Sequence, residues 1–300
     1  MGADRQTIGY SNAGTTMGSF ITDPDGLERA HSRIVDDIRT TVDNAGAQGA
    51  VVAMSGGIDS TVTAALAVEA LGSDRVLGLG LPCHKSEHPG VSEARTIADG
   101  LGIEFTEIQL RPLLEAFEET AACALEADVE TDEDGRPHER NHALGNVIAR
   151  LRMCCAYYTA NRQQRLVLGT ANRSEWLLGY FTKYGDGAAD TYPLGDLYKT
   201  EVRALATRIG VPRRIVNKEP TAGFWADQTD ADELGASYDV IDPLLQRLVD
   251  DGKSIPEAAA ALGIDHETAR SLAWLCAETQ HKRITPPTPG IGDRDVSTSR

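Results

Sequence analysis

Six consecutive residues, Ser55-Gly56-Gly57-Ile58-Asp59-Ser60, carry the groups that an anion-binding turn needs. Gly56 and Gly57 have no Cβ, so backbone N–H groups there can close on an anion and the chain can take positive φ. Ser55 and Ser60 supply hydroxyls, and Asp59 supplies a carboxylate able to hold Mg2+ beside phosphates. A continuous apolar run, Ala50-Val51-Val52-Ala53-Met54, precedes the turn, and a helical pattern from Ser60 to Leu71 follows it. The run reads as a buried parallel strand, and the helix would aim its positive end at the same anion. A plain glycine turn, with Asp59 and Ser60 capping a helix, is the competing reading; the buried strand in front weighs against it. The pattern G-x-x-x-x-G-K-[ST] is absent and no G-x-G-x-x-G follows the strand. That excludes a Walker loop here and disfavours a dinucleotide oxidoreductase.

A second polar block follows another apolar run, Leu166 to Leu168. It holds Gly169, Thr170, Glu175, the stretch Gly179-Tyr180-Phe181-Thr182-Lys183-Tyr184-Gly185-Asp186, Asp190 and Pro193. Coming after a strand, it points to the same sheet edge, where open α/β sheets bind ligands. Glu175 is placed to give a second metal carboxylate and Lys183 a cation for phosphate or carboxylate. Taken singly, Glu175 reads equally well as an acid in a helix's first turn, and Lys183 as a solvated charge. Their company in one glycine-punctuated block favours function. His84 and His88 lack a ligand set and read as solvent-exposed loop histidines rather than metal ligands.

The elements that must position these groups alternate. Helical spacing runs from Gly26 to Val42; after the first strand and its helix come a strand Val76–Leu81, a helix Val91–Leu101 and a strand Ile103–Ile108. A helix over Pro112–Leu125, a long helix Ala143–Arg162 and the strand at 166–168 complete the series. Strand-helix alternation predicts a doubly wound parallel sheet with flanking helices. Beyond Gly169 the sequence reads as loop-rich, then as helices at Tyr198–Ile209, Tyr238–Leu248, Ile255–Leu262 and His266–Glu278, capping the sheet or building a subunit interface. Residues 1–24 and 285–300, rich in small, polar and proline residues, read as mobile arms around a single domain at 25–284. The acidic stretch 128–139 reads as a surface excursion.

Composition narrows the partners. The 300-residue chain has 45 acidic against 29 basic residues, a formal net charge of −16, and only six lysines. Such a surface repels nucleic-acid phosphates. It also suggests adaptation to high salt, where screening to about 3 Å at 1 M relieves self-repulsion. No apolar stretch approaches the roughly 20 residues of a membrane span and no signal peptide is apparent, so a cytoplasmic protein is expected. Five cysteines without a C-x-x-C pair read as thiols, mostly buried, not as a disulfide framework.

The loop Ser55–Ser60 resembles the SGGxDS signature of ATP pyrophosphatases, which cleave ATP between its α- and β-phosphates. The resemblance sharpens with Gly145-Asn146, Ala149-Arg150-Leu151-Arg152, Gly169-Thr170 with Glu175, and the 179–186 stretch with Asp190. Lys199, Lys218-Glu219-Pro220-Thr221, Gln228 to Gly235, Tyr238 to Asp242 and His281-Lys282-Arg283 extend it. In this order and spacing the chain resembles the ammonia-dependent NAD synthetases from Ser55 to Arg283. The resemblance implies ATP-dependent amidation of deamido-NAD by ammonia through an adenylate, and a homodimer. It implies that Ser55, Gly56, Gly57, Ile58, Asp59, Ser60, Thr170, Lys199 and Thr221 hold ATP, with Mg2+ on Asp59 and Glu175. Arg150, Lys183, Asp190, His281 and Lys282 would contact deamido-NAD, and Asp59, Glu175 and Lys199 would be catalytic. With so few lysines in the chain, those at family positions favour function. Ala171-Asn172-Arg173-Ser174 departs from the pattern of bacterial members, which puts local substrate contacts in question. No separate glutaminase is expected; a tRNA-sulfurating or GMP-forming enzyme, or a non-catalytic ATP-binding regulator, are the alternatives.

Overall fold

The computed structural model describes residues 20–126, 137–220 and 229–289. Four strands form one parallel sheet: β1 (Gly49–Ala53), β2 (Val76–Gly80), β3 (Glu104–Glu107) and β4 (Arg165–Leu168), in the order β3-β2-β1-β4. Val51 of β1 stands in register with Leu77 on one side and Val167 on the other. The chain winds from β1 outward through β2 to β3, then returns to add β4 on the opposite side of β1. The order therefore reverses beside β1, and a crevice opens at its carboxyl end. This is the doubly wound fold expected from the alternation.

Both faces of β1 are covered, which is why its residues are apolar without alternation. Ala50 and Val52 join a core with α1 (Pro24–Asn44), α2 (Ile58–Leu71), α3 (His88–Leu101) and α8 (Lys199–Arg208). Val51 faces the other way, into a core with Leu110, Leu114 of α4 (Arg111–Phe117), and Ile148, Ala156 and Ala160 of α6 (Pro137–Gln163). Ten of the 14 residues of α2 are buried, and Ser60, Thr61, Ala64 and Ala67 are small enough for sheet, α1 and α8 to close on it. A third core joins α7 (Arg173–Leu178) to α11 (Tyr238–Leu245), α12 (Ile255–Leu262) and α13 (His266–Glu278) through Leu177, Leu178, Ile241, Leu244, Ala258 and Leu272. The carboxy-terminal helices thus hold α7, and with it Glu175, in place.

Several boundaries differ from expectation. The helix expected over 112–125 is α4, a π-helical turn at Glu118–Ala122, and the short α5 (Cys123–Glu126). Three helices stand where loop was expected or no element was assigned: α7, α9 (Arg213–Val216) and α10 (Asp230–Leu234). Asp23 caps α1 by accepting from the Gly26 N–H at 2.8 Å, with Pro24 in the first turn. Upstream of that cap, Phe20 packs edge-on against Tyr198 with ring centroids 5.5 Å apart, and the Ile21 N–H donates to Glu201 at 2.7 Å. The rest of the amino-terminal arm, most of the acidic stretch 128–139, Thr221 and the tail from 290 lie outside the described residues. All five cysteines are free thiols, but only Cys83 and Cys276 are buried, Cys155 is half-buried and Cys123 and Cys154 are exposed. No helix among the described residues is long and apolar enough to cross a membrane.

Candidate active site

The turn after β1 is held open from within. Gly56 sits at φ +74°, and a Cβ there would overlap the carbonyl oxygen of Gly90 at the start of α3. A side chain at Gly90 would in turn meet the Ser55 carbonyl oxygen at 2.6 Å. Only paired glycines allow this approach of backbone to backbone. Ser55 Oγ accepts from the Gly57 N–H at 3.3 Å, and Ser60 Oγ accepts from the Ser55 N–H at 3.3 Å while donating to the Gly57 carbonyl at 3.2 Å. Lys218, from the far side of the crevice, reaches the Gly56 carbonyl at 3.4 Å.

Beside this turn three charges converge. Lys199 Nζ lies 2.5 Å from Asp59 Oδ2 and 3.0 Å from Glu175 Oε1, although Lys199 is 140 residues from Asp59 in sequence. Asp59 stands in the first turn of α2, Glu175 in that of α7, and Lys199 opens α8. Asn172 ties two of them together: its Nδ2 donates to Asp59 Oδ1 at 2.9 Å, and it forms a capping box with Glu175 at distances of 3.1 and 3.2 Å. Burial, and then the neighbouring Asp59 carboxylate, raise the Glu175 pKa from its ordinary 4.5 despite the opposing Lys199 charge. For Lys199 burial acts downward, but the two carboxylates outweigh it and hold the ammonium charged. The cluster combines a fixed cation with two hard-oxygen donors, one of them reluctant to ionise.

A second cluster forms around the loop 179–187. Arg150 on α6 donates to the Lys183 carbonyl at 3.2 and 3.3 Å, and Lys183 Nζ donates to the His281 carbonyl at 2.6 Å. Lys282 Nζ donates to the carbonyls of Gly179 at 2.8 Å and Phe181 at 3.0 Å. Arg150, Lys183, His281 and Lys282 are therefore brought together. Asp190 stands beside β4, its Oδ2 accepting from the Val167 N–H at 2.7 Å and its Oδ1 from the Tyr157 hydroxyl at 3.3 Å. Thr170, two residues beyond β4, is half-buried. His84 is half-buried and His88 exposed, and among the described residues no group of three or more side chains is placed to hold a metal.

Residues not singled out individually from sequence complete the site. Asn172 lies in the stretch that departs from the pattern of bacterial members, and its sequence signal is the Asn-x-x-Glu capping pattern. Asp230, almost fully buried, accepts from the Tyr238 hydroxyl at 3.0 Å and the Tyr180 hydroxyl at 3.3 Å, and Lys199 Nζ lies 5.3 Å above the Tyr238 ring. A cavity of about 670 Å³, lined by Lys218, Asp230, Tyr238 and Arg203 among others, adjoins this network.

Sheet order, glycine turn and converging charges define an α/β protein of the adenine nucleotide alpha hydrolase fold. The NAD synthase family matches residues 30–286. The NH(3)-dependent NAD(+) synthetase of Methanosarcina acetivorans is 43% identical over 267 residues, 88% of this chain and 99% of the relative. Among solved structures, NMN synthetase from Francisella tularensis is similar with a TM-score of 0.74 and 34% identity, covering 88% of this chain and 98% of the other. NH3-dependent NAD synthetase from Campylobacter jejuni gives a TM-score of 0.69 at 27% identity, covering 87% and 98%. The chain belongs to the NAD synthase family.

Proposed function

We propose that this protein is a C–N ligase that converts deamido-NAD to NAD with ATP and ammonia. The observation that carries the reading is the meeting of Asp59, Glu175 and Lys199 beside the glycine turn at the sheet's switch point. A carboxylate is a poor acyl donor, so it must first be given a leaving group. An oxygen of the nicotinate carboxylate attacks the α-phosphorus of ATP, the bond to the bridging oxygen breaks, and pyrophosphate leaves. Ammonia then attacks the acyl carbon, AMP departs, and a proton is lost to leave the amide.

Each residue has a part in this. The amides and hydroxyls of residues 55–60 cradle the phosphates, with Thr170 and Thr221 as further contacts, and Lys199 offsets charge developing at the α-phosphate. Asp59 and Glu175 fit Mg2+: they are hard-oxygen donors, two in number, and already balance one cation, and Mg2+ takes few protein carboxylates when phosphates complete its shell. When bound, the ion would supply charge neutralisation at the leaving pyrophosphate. Arg150, Lys183, Asp190, His281 and Lys282 bind deamido-NAD. A single catalytic domain over 25–284, a homodimer, a cytoplasmic setting and adaptation to high salt belong to the same reading.

The test is incubation of the purified protein with ATP, Mg2+, ammonium and deamido-NAD, with NAD, AMP and pyrophosphate expected in equal amounts. Absence of NAD would overturn the assignment. Because a similar fold is found in an NMN synthetase, nicotinate mononucleotide belongs in a parallel arm, and a higher kcat/KM for it would reassign the acyl substrate. The same assay in dilute buffer and at molar salt decides the salt reading, which equal stability and activity in both would remove.

A further inference from the structure

Beneath the converging charges lies a carboxylate with no part in the chemistry above. Asp242, on α11, is fully buried, and no salt bridge reaches it among the described residues. Burying a lone carboxylate is costly unless hydrogen bonds compensate. Here both oxygens are used. Asp242 Oδ1 accepts from Ser174 Oγ at 2.6 Å, and Oδ2 accepts from the Thr200 N–H at 2.8 Å. Ser174 Oγ, also fully buried, in turn accepts from the Lys199 N–H at 2.9 Å.

The sequence positions of these partners give the network its meaning. Ser174 directly precedes Glu175, and Thr200 directly follows Lys199. The N–H groups of Lys199 and Thr200 are the first two of α8, which the helix itself leaves without partners. One side chain thus fixes the start of α8 to the first turn of α7. The two side chains projecting from those turns are Lys199 and Glu175, held 3.0 Å apart.

We propose that Asp242 is a positioning residue that sets the Lys199–Glu175 geometry through Ser174 and Thr200; this rests on the ligase reading above. Asp242 touches neither the glycine turn nor the loop 179–187 by any hydrogen bond, so its loss should move the chemical step and not the binding of deamido-NAD.

Two variants test it. D242N preserves size but offers one acceptor where two donors now converge, and S174A removes only the bridge to Lys199. For D242N a fall in kcat of about 10–100-fold, typical of lost supporting hydrogen bonds at catalytic sites, is expected. KM for deamido-NAD should stay within about threefold, and S174A should show a smaller loss of the same kind. The double variant should be no worse than D242N alone, because both act through one network. A kcat within twofold of the parent in folded D242N, an equal rise in KM for deamido-NAD, or additive losses in the double variant would each overturn the role. If D242N does not fold, S174A decides, and an unchanged kcat there overturns it. A parent that makes no NAD overturns the ligase reading and this role with it; an active parent with unaffected variants overturns only this role.

Discussion

The two charged clusters solve the problem of buried or crowded charge differently. Around Lys199, charge meets charge: one ammonium, 3% exposed, faces two carboxylates drawn from α2 and α7. Around the loop 179–187, three cations, Arg150, Lys183 and Lys282, spend their donors on backbone carbonyls. Carbonyl oxygens carry partial charges, so this second set keeps net positive charge to offer an anionic ligand. The first cluster is internally balanced and preorganised; the second is an electrostatic surface built on a loop. In the proposed reaction the chemical step would use the former and substrate capture the latter.

The largest effect should come from breaking the balanced cluster. K199M leaves Asp59 and Glu175 facing each other without a cation, whereas D59A leaves Lys199 still paired with Glu175. Both should lower kcat by about 10²–10³-fold, the scale of removing one preorganised charge at a reacting centre. They should differ in stability. K199M is expected to cost about 3–5 kcal/mol, as when one partner of a buried pair is removed, and D59A much less. Urea unfolding of the two variants checks this, and equal stabilities would mean that the cluster is not a balanced unit but a mere surface of charges.

A smaller effect, and a different one, is expected from R150A. Hydrogen bonds to charged groups contribute about 1.5–3 kcal/mol, so KM for deamido-NAD should rise by roughly 10–100-fold. Neither kcat nor KM for ATP should move beyond about twofold, because Arg150 contacts the Lys183 carbonyl and not the glycine turn. Measuring both KM values in one series decides the matter. A parallel rise in KM for ATP would merge the two clusters into one.

The contrast also explains which features are legible in the sequence. The strand β1 and the helix α2 were legible because a continuous apolar run ends in two glycines, and both signals are local. The pairing of Asp59 with Glu175 was expected by resemblance, and the structure brings them to one ammonium. That Lys199 would be that ammonium was not readable from spacing, since it is 140 residues from Asp59. The six-residue α7 is too short to show helical periodicity, and its local marks are the Asn172–Glu175 capping pattern at one end and Gly179, at φ +62°, at the other. Asp242 ends the stretch 238–242 that carries part of the resemblance, but nothing in a sequence distinguishes a buried acid under α8 from an exposed one on α11. Long-range polar contacts of this kind are set by tertiary packing, which periodicity does not encode.

The subtlest test concerns the proton on Glu175. Its pKa is raised in the folded protein, above the 4.5 of the unfolded chain, chiefly by burial and then by Asp59. Between those two values the folded state binds more protons than the unfolded one, so stability must fall as pH rises. The contribution of the protonated acid is complete below pH 4.5 and is lost as the pH climbs through the raised value. E175Q imitates the protonated acid at every pH and should escape this loss. In metal-free buffer the stability of E175Q relative to the parent should therefore increase with pH, by up to about 1.4 kcal/mol per pH unit within that window. Urea unfolding of both proteins at a series of pH values measures the difference directly. A flat difference would mean that Lys199 fully compensates Glu175, making the cluster one of two satisfied ion pairs. A rising one would mean that burial outweighs the ammonium and that Glu175 carries its proton across that window, where the first region is balanced by a lysine, a carboxylate and an acid.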